Sequence, residues 1–550
     1  MGPGTKKNLL IAACYAAVFA AGMAIGPKFA KENTSTRNGS FMPFGAGDRS
    51  GKLEKILGII RDNYVDPVKL DTLQHLAIKD ILKKLDPHSA YLPPEDKQQQ
   101  DEDLDGSFTG IGIEYYVLQD TLLVTSVTPG GPASHSALRQ GDRIIAIDQT
   151  PVAGNNIATS EISRLIRGAN GSTVDLVVKN ARYPDGRKVT ITRGNIDVSS
   201  IDVAYMLDRQ TGYVKITRFG AQTDRDFTTA IKKLQKSGMK NLVLDLRDNG
   251  GGYLSAATAL ADEFLSDKKL IVYTEGEHEP RTDYLATSEG SFEEGGLVVL
   301  INENSASASE IVAGAIQDLD RGTIIGRRSF GKGLVQEQFP FGDGSALNLT
   351  IARYYTPLGR SIQRSYKKGS DAYYEEVGNR FRNGEVNSDG HHYQDSTYSK
   401  EKSFKTASGR IMYGGGGIMP DIYVPLDTAG YTDFYSEIAI KGFLNDFIYR
   451  NLLRSATTPV SLEEFVHNYQ VDERDYQHLL SYAGEKGVKT TENISKASKP
   501  VIISEMKAIL ARYFFGEDGY YRVINSGDKA LVRSLELMNK DKKLVSYRDK

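Results

Sequence analysis

The period of the apolar positions changes several times along the chain. Leu9 to Ile25 is an apolar run without a charge, flanked by Lys6-Lys7 and Gly26-Pro27-Lys28. Residues 32–50 are rich in Asn, Ser, Thr and Gly and read as a linker. Leu53, Ile56, Leu57 and Ile60 then fall at i, i+3, i+4, i+7, which predicts one apolar face of a packing helix. A second helix is predicted over Leu73–Leu85, stopping at Asp86-Pro87. From about Gly106 the pattern shortens to strands separated by glycine turns, with a helix around Ser160–Ile166 and a strand at Val174–Val178. After Ser200, strands alternate with helices. Gly212–Ile216, Leu242–Leu246, Leu297–Ile301 and Gly322–Gly326 read as strands; Phe227–Ser237, Leu254–Leu265 and Ala308–Asp318 read as helices. Such alternation predicts a mixed sheet covered by helices. Tyr366 to about Ser408 is polar and reads as an inserted loop, and helical spacing returns with Ile438, Phe443, Leu444, Phe447 and Ile448.

The expected architecture is therefore a multidomain α+β chain. It comprises an N-terminal anchor or signal segment (1–31), a helical segment (50–104) and a β domain (105–195). An α/β core with a mixed sheet (200–428, insert about 366–408) and a C-terminal helical extension (430–550) follow. The composition is that of a globular protein, 40 % hydrophobic and 25 % charged. A net charge of −2 gives nucleic acid no electrostatic footing. The single cysteine, Cys14, excludes an intramolecular disulfide and a Cys-rich zinc site. The Leu9–Ile25 run has the length of a short spanning helix, for which roughly 17–25 residues is the range. It is an uncleaved anchor, a cleaved signal peptide or, through Cys14, a lipidation segment. Each reading exports the bulk of the chain to an extracytoplasmic, periplasm-like compartment.

In the β domain, Phe108-Thr109-Gly110-Ile111-Gly112-Ile113, Pro129-Gly130-Gly131-Pro132-Ala133 and Gly141-Asp142-Arg143-Ile144 follow one another. This ordered set resembles a PDZ domain. The resemblance makes Gly110, Ile111, Gly112 and Ile113 the carboxylate-binding loop: small residues let backbone N–H groups converge on an anion, beside a strand edge that accepts an extended peptide.

The α/β stretch carries four further segments in order: Asp245–Gly252, Asn304–Ile311, Ser329–Gln336 and Gly417–Asp421. With the PDZ-like part, residues of about 50–430 resemble the C-terminal processing (tail-specific) peptidases. The resemblance implies a serine endopeptidase of the Ser–Lys type that cleaves proteins near their C-termini, with the PDZ domain holding the tail. It places the nucleophile at Ser307, the general base at Lys332, 25 residues on, and a supporting Gln at Gln336. The chemistry is coherent. A serine hydroxyl needs a neighbouring base. Ser307 lies between a strand and a helix, where the Ala308 N–H can stabilise an oxyanion; Gly251 or Gly252 supplies the second donor. A lysine acts as base only when neutral, so burial must lower its pKa from about 10.4. Gln336 can hold the amine without restoring its proton. Ser305 and Ser309 are the fallback nucleophiles, and Asp245 with Arg247 reads as a structural ion pair.

No metal or organic cofactor is implied. The expected partners are proteins or peptides with free C-termini and, through the N-terminal segment, a membrane; helices at both ends could mediate a homo-oligomer. Two rivals stand beside this reading. One is a catalytically inactive PDZ scaffold. The other is a cell-wall amidase using Ser329, because Ser329-Phe330-Gly331-Lys332 also fits the Ser-x-x-Lys pattern, although no S-D-N or K-T-G follows.

Overall fold

The computed structural model describes residues 51–118, 121–387, 403–456 and 459–540. The Leu9–Ile25 run and its anchor reading lie outside the described residues. Among those described, no helix is long and apolar enough to cross a membrane.

The chain divides into two units at Leu76. In the first, helix Lys52–Asn63 forms as its period predicts, but none of its residues is buried, and Leu53, Ile56 and Ile59 are exposed. The second helix runs Leu70–Lys83.

In the second unit, a six-stranded sheet forms the centre of the α/β core. Ile201–Met206 pairs antiparallel with Thr211–Ile216, and Asn241–Asp245, Gly296–Ile301, Thr323–Gly326 and Ile422–Tyr423 continue it in parallel. The strands are apolar on both faces, as a sheet covered on both sides requires. Val214, Ile216, Leu242, Leu244, Val299 and Ile301 pack against helices Thr223–Lys236, Leu254–Asp262 and Ala308–Asp318. Tyr213, Val243, Val298, Leu300 and Ile325 face the other way and meet Ala530 and Leu531 of the last helix, Lys529–Lys540. The C-terminal extension thus completes the core of the sheet.

A second sheet lies beside the first. Its central strand, Ala346–Tyr355, is flanked on one side by Leu334–Pro340 and on the other by Ala90–Leu92 and Leu270–Glu275. The β domain has the strand order Ile113–Leu118, Thr121–Val127, Arg143–Ile147, Thr173–Asn180, Tyr183–Thr192, with helix Thr159–Ile166 closing its apolar interior. Helices from Asp433 to Ile524 surround their own apolar cluster, including Phe447, Phe465, Leu479 and Met506. This helical body is tied to the β domain by Tyr116, whose hydroxyl donates to Gly442 O at 3.1 Å. It is tied to the core by Tyr521 on Asp202 at 3.0 Å, and just beyond it Asp528, which precedes the last helix, pairs with Arg247 at 2.6 Å.

The stretch 366–408 departs from the loop expected of it: Ser370–Arg382 is a helix. Its polar surface hid a buried edge, because its inward residues are charged or aromatic, with Tyr373 and Arg380 buried.

Candidate active site

Chain direction places the site. In parallel sheets, the carboxyl ends of the strands open onto the crevice where ligands sit. Strand Asn241–Asp245 ends at the turn Asp248-Asn249-Gly250-Gly251-Gly252, and its neighbour Gly296–Ile301 ends at Asn302–Ser307. Ser307 has φ 55° and ψ −112°, a left-handed conformation costly for a residue with a Cβ, immediately before helix Ala308–Asp318. Unlike its neighbours, Ser307 remains partly open. A cavity of about 490 Å³ lies over it, lined among others by Gly252, Ala308, Lys332, Gln336 and Leu104. The structure therefore brings Ser307, Lys332 and Gln336 to one cavity.

The fallback serines are committed elsewhere. Ser305 is fully buried and donates to Leu246 O at 2.8 Å; Ser309 is fully buried and donates to Asn249 O at 2.9 Å. Ser329 is also fully buried. It donates to Glu310 at 2.5 Å and accepts the Ile418 N–H at 2.6 Å. A hydroxyl closed from solvent and held at both ends cannot meet a substrate, which removes the Ser-x-x-Lys alternative.

Lys332 precedes strand Leu334–Pro340. Burial pushes its ammonium below the ordinary lysine range, against the pull of the Glu310 and Asp86 carboxylates. Nearby, His88 is held neutral, its pKa pushed down to about 3 by burial and then by the Lys332 charge. Gln336 donates its side-chain N–H to Thr350 Oγ1 at 3.2 Å, and among the described residues no hydrogen bond joins it to the Lys332 amine. Thr350 N–H donates in turn to Ser89 Oγ, which donates to Asp86 at 2.6 Å. A polar chain thus runs from Gln336 to the Asp86-Pro87-His88-Ser89 turn.

Three residues outside the predicted set fix this geometry. Glu310, fully buried, accepts N–H groups from Ser307 (2.9 Å), Gly331 (2.7 Å) and Lys332 (2.9 Å) besides the Ser329 hydroxyl. Burial pushes its carboxyl up while these four donors pull it back. Tyr354, also buried, directs its hydroxyl at the carbonyls of both Ser307 (3.1 Å) and Lys332. Asn249 fastens the glycine turn to the serine turn: its carbonyl accepts from Ala306 N–H and Ser309 Oγ, and its side chain accepts the Gly251 N–H at 2.9 Å. That last bond separates the two glycines. The Gly251 N–H is occupied, whereas those of Gly252 and Ala308 donate to no acceptor among the described residues. A Cβ on Gly251 would lie 2.8 Å from that of Ser307, and one on Gly252 would lie 2.0 Å from Phe219 O, so both must be glycine. The sequence offered signals for two of the three. Glu310 sits three residues after Ser307, a capping-box spacing, and Asn249 precedes a glycine run. Tyr354 has no local signal.

Asp245 and Arg247 form the ion pair expected of them, at 2.6 Å. Burial pushes the Asp245 carboxyl up, but the adjacent Arg247 and Lys215 charges prevail and hold it well below the usual range. The loop carrying Lys332 is braced by helix Ser370–Arg382. Arg380 donates to Ser329 O (2.7 Å) and Phe330 O (3.1 Å), and the Arg364 guanidinium lies 3.9 Å from the Phe330 ring and 4.0 Å from that of Tyr373.

In the β domain, Ile111 and Gly112 are buried between strands Ser107–Gly110 and Ile113–Leu118, and among the described residues their N–H groups donate to no acceptor. Gly110 and Ile113 flank them at the ends of those strands.

A small β domain whose Ile111 and Gly112 amides donate to no acceptor among the described residues, joined to an α/β core with a serine on a strained turn beside a desolvated lysine, has the architecture of a PDZ-bearing serine peptidase. Comparison with known families agrees: residues 210–369 match peptidase family S41, 98–179 a PDZ domain, and 434–516 a family of unknown function. The chain is 37 % identical over 309 residues to the carboxy-terminal-processing protease of Bartonella bacilliformis, covering 55 % of this chain and 70 % of that protein. It is 34 % identical over 315 residues to a probable CtpA-like serine protease of Staphylococcus aureus (strain N315), covering 56 % of this chain. The chain spans 62 % of the length of that relative. Among solved structures, the photosystem II D1 C-terminal processing protease matches at 30 % identity and TM-score 0.32, over 56 % of this chain and 89 % of that one. The chain belongs to the S41 family of carboxy-terminal-processing proteases.

Proposed function

We propose that the protein is a serine endopeptidase that cleaves proteins near their C-termini by a Ser–Lys mechanism. The observation that carries this reading is the opening of Ser307 and a desolvated Lys332 onto one cavity. Lys332, neutral, takes the Ser307 proton as Oγ attacks the scissile carbonyl. The oxyanion that forms is held by the N–H groups of Ala308 and Gly252, both at the cavity wall and both without an acceptor among the described residues. Lys332 then protonates the leaving amine, and water resolves the acyl-enzyme with Lys332 again as base. Gln336 lines the same wall and is held there by the polar chain through Thr350 and Ser89 to Asp86.

The PDZ domain captures the tail. The Ile111 and Gly112 amides receive the terminal carboxylate, and the substrate extends along the open edge of Ile113–Leu118. The Leu9–Ile25 run anchors or exports the chain, so that this chemistry takes place on the extracytoplasmic side of a membrane.

The test is digestion of an unstructured reporter with an apolar C-terminus by the parent and by Ser307→Ala. The reading expects the parent to cut and the variant to bind the reporter uncut. Equal cutting by both would move the nucleophile elsewhere, and intact reporter with both would favour the inactive scaffold.

A further inference from the structure

The chain enters the PDZ domain along strand Ser107–Gly110 and leaves it along Gly194–Asp197, and among the described residues these two strands pair only with each other. A lone two-stranded ribbon is a weak mount. A second mount comes from helix Glu492–Ile524, which breaks at Gly516 (φ 66°, ψ −156°), a conformation that favours glycine. One arm of the broken helix reaches the PDZ domain. The Tyr513 carbonyl accepts from Gln140 Nε2, and the Tyr513 hydroxyl lies over Gly141, where a Cβ would come within 3.2 Å of it. The Tyr513 ring also meets that of Tyr449, which in turn meets Tyr116 at 5.2 Å between centroids. The other arm reaches the core strand Ile201–Met206. Tyr521 donates to Asp202 at 3.0 Å, the Arg522 guanidinium lies 4.5 Å from the Tyr205 ring, and Asn525, just past the helix end, donates to the Tyr205 hydroxyl at 2.9 Å. The angle between the arms is locked. Arg512 pairs with Glu517 across the break at 2.7 Å and lies 3.8 Å over the Tyr520 ring. The arms approach so closely that a Cβ on Gly519 would lie 2.5 Å from Ala511 O.

We infer that this bent helix is a bracket that holds the PDZ domain at a fixed distance from Ser307, so that the enzyme cuts at a set number of residues from the captured C-terminus. The inference rests on the tail-capture reading above and adds to it a measure of length. A captured tail raises the effective concentration of those bonds that can reach the serine, and the play of the mount decides which bonds those are. An extended chain advances about 3.3 Å per residue, so each such step of play brings a neighbouring bond to Ser307. The ribbon alone leaves that play; the bracket removes it. Residues 434–516, which match a family of unknown function, thereby acquire a role, since their Gly442, Tyr449 and Tyr513 supply the contacts to Tyr116 and Gln140 of the PDZ domain.

The experiment digests unstructured reporters with an apolar C-terminus and reads every cut by mass spectrometry. The reporters differ in the length of a spacer of one repeated sequence ahead of the tail, each made as free acid and as carboxamide. With the parent, cuts in the free acids should stay at one distance from the C-terminus as the spacer grows. Arg512→Ala frees the angle, and Gln140→Ala combined with Tyr513→Ala frees the PDZ arm. Either should spread the cuts about three bonds beyond the parental cluster, the reach of about 10 Å of play. Both should cut a short carboxamide peptide containing the scissile bond at the parental rate, since neither change touches the Ser307 cavity. Loss of that activity would make the helix a support of the core and overturn the inference. Parental cuts that follow one sequence rather than one distance would also overturn it, as would variants that keep the parental cluster. In those cases slower cutting of the carboxamides would leave tail capture standing. Acids and carboxamides cut alike at the same bonds would remove tail capture, and this inference with it.

Discussion

Glu310 Oε2 accepts the backbone N–H of Lys332 at 2.9 Å, and the same oxygen accepts that of Ser307 at 2.9 Å. One buried carboxylate thus fixes the separation of two turns that are 25 residues apart in the chain. Tyr354 repeats the link from the carbonyl side. The separation of the serine and lysine turns is thus held through their backbone groups rather than through Oγ or Nζ.

Glu310→Gln should therefore damage catalysis while changing few atoms. An amide turns an N–H₂ toward one pair of donors, and unpaired buried donors cost about 1–3 kcal/mol. A displacement near 1 Å at the reacting atoms costs about a hundredfold in rate, and we expect kcat to fall by about that much. The diagnostic is the pH profile. The Glu310 charge raises the Lys332 pKa, so its removal should move the acid limb of kcat to lower pH. A loss of rate with an unmoved limb would mean that Glu310 only supports the fold.

In the parent, cleavage should rise with pH through the depressed Lys332 pKa, because only the neutral amine accepts the proton. Lys332→Arg should be inactive at every pH, since a guanidinium stays charged. Stability gives an independent reading. A lysine whose folded pKa lies below its unfolded value binds fewer protons when folded, so it contributes stability that grows as pH rises through that window. The melting temperature of the parent should climb relative to Lys332→Met between neutral and alkaline pH. A parallel course for the two proteins would mean that Lys332 is not desolvated.

The glycine turn makes a sharper demand. Gly252 has φ 148° and no room for a Cβ beside Phe219 O, whereas a Cβ on Gly250 would meet nothing within 4 Å. Gly252→Ala must shift the N–H assigned to the oxyanion, at a cost of about 10²–10³ in kcat, while Gly250→Ala should fold with an unchanged melting temperature. Burst kinetics with an activated ester would locate the loss in acylation. An unimpaired Gly252→Ala enzyme would place the second donor elsewhere.

Much of this was legible in the sequence because it is local. Helix Ala308–Asp318 has the bounds its pattern predicts, and Ser307, Lys332 and Gln336 share a cavity. What was hidden acts over long sequence distances. Tyr354 reaches Ser307 across 47 residues, and Arg380 supports Ser329 from a stretch too polar to resemble a core helix. The free Gly252 amide could not be told from that of Gly251 until the Asn249 side chain was seen to occupy one of them. Periodicity reports which face of an element is apolar; it does not report which partner that face meets. The exposed helix Lys52–Asn63 shows the same limit from the other side.

The C-terminal helix offers a way to separate stability from chemistry. Leu531 is buried against the sheet face opposite Ser307, and Asp528 pairs with Arg247 at 2.6 Å, both side chains 18 % exposed. Leu531→Ala should cost about 2–5 kcal/mol of folding free energy through the lost contacts and the cavity left behind. Asp528→Ala should cost about 1–3 kcal/mol, since Arg247 loses one charged hydrogen-bond partner and retains Asp245. Neither residue touches the Asn249, Glu310 or Tyr354 links, so kcat per folded molecule should stay near the parental value. Urea midpoints and active-site titration on the same samples would check both halves. A collapse of kcat at full folding would show that the far face of the sheet sets the geometry of the glycine turn, through the strand that ends at Asp245 and the Arg247 that follows it.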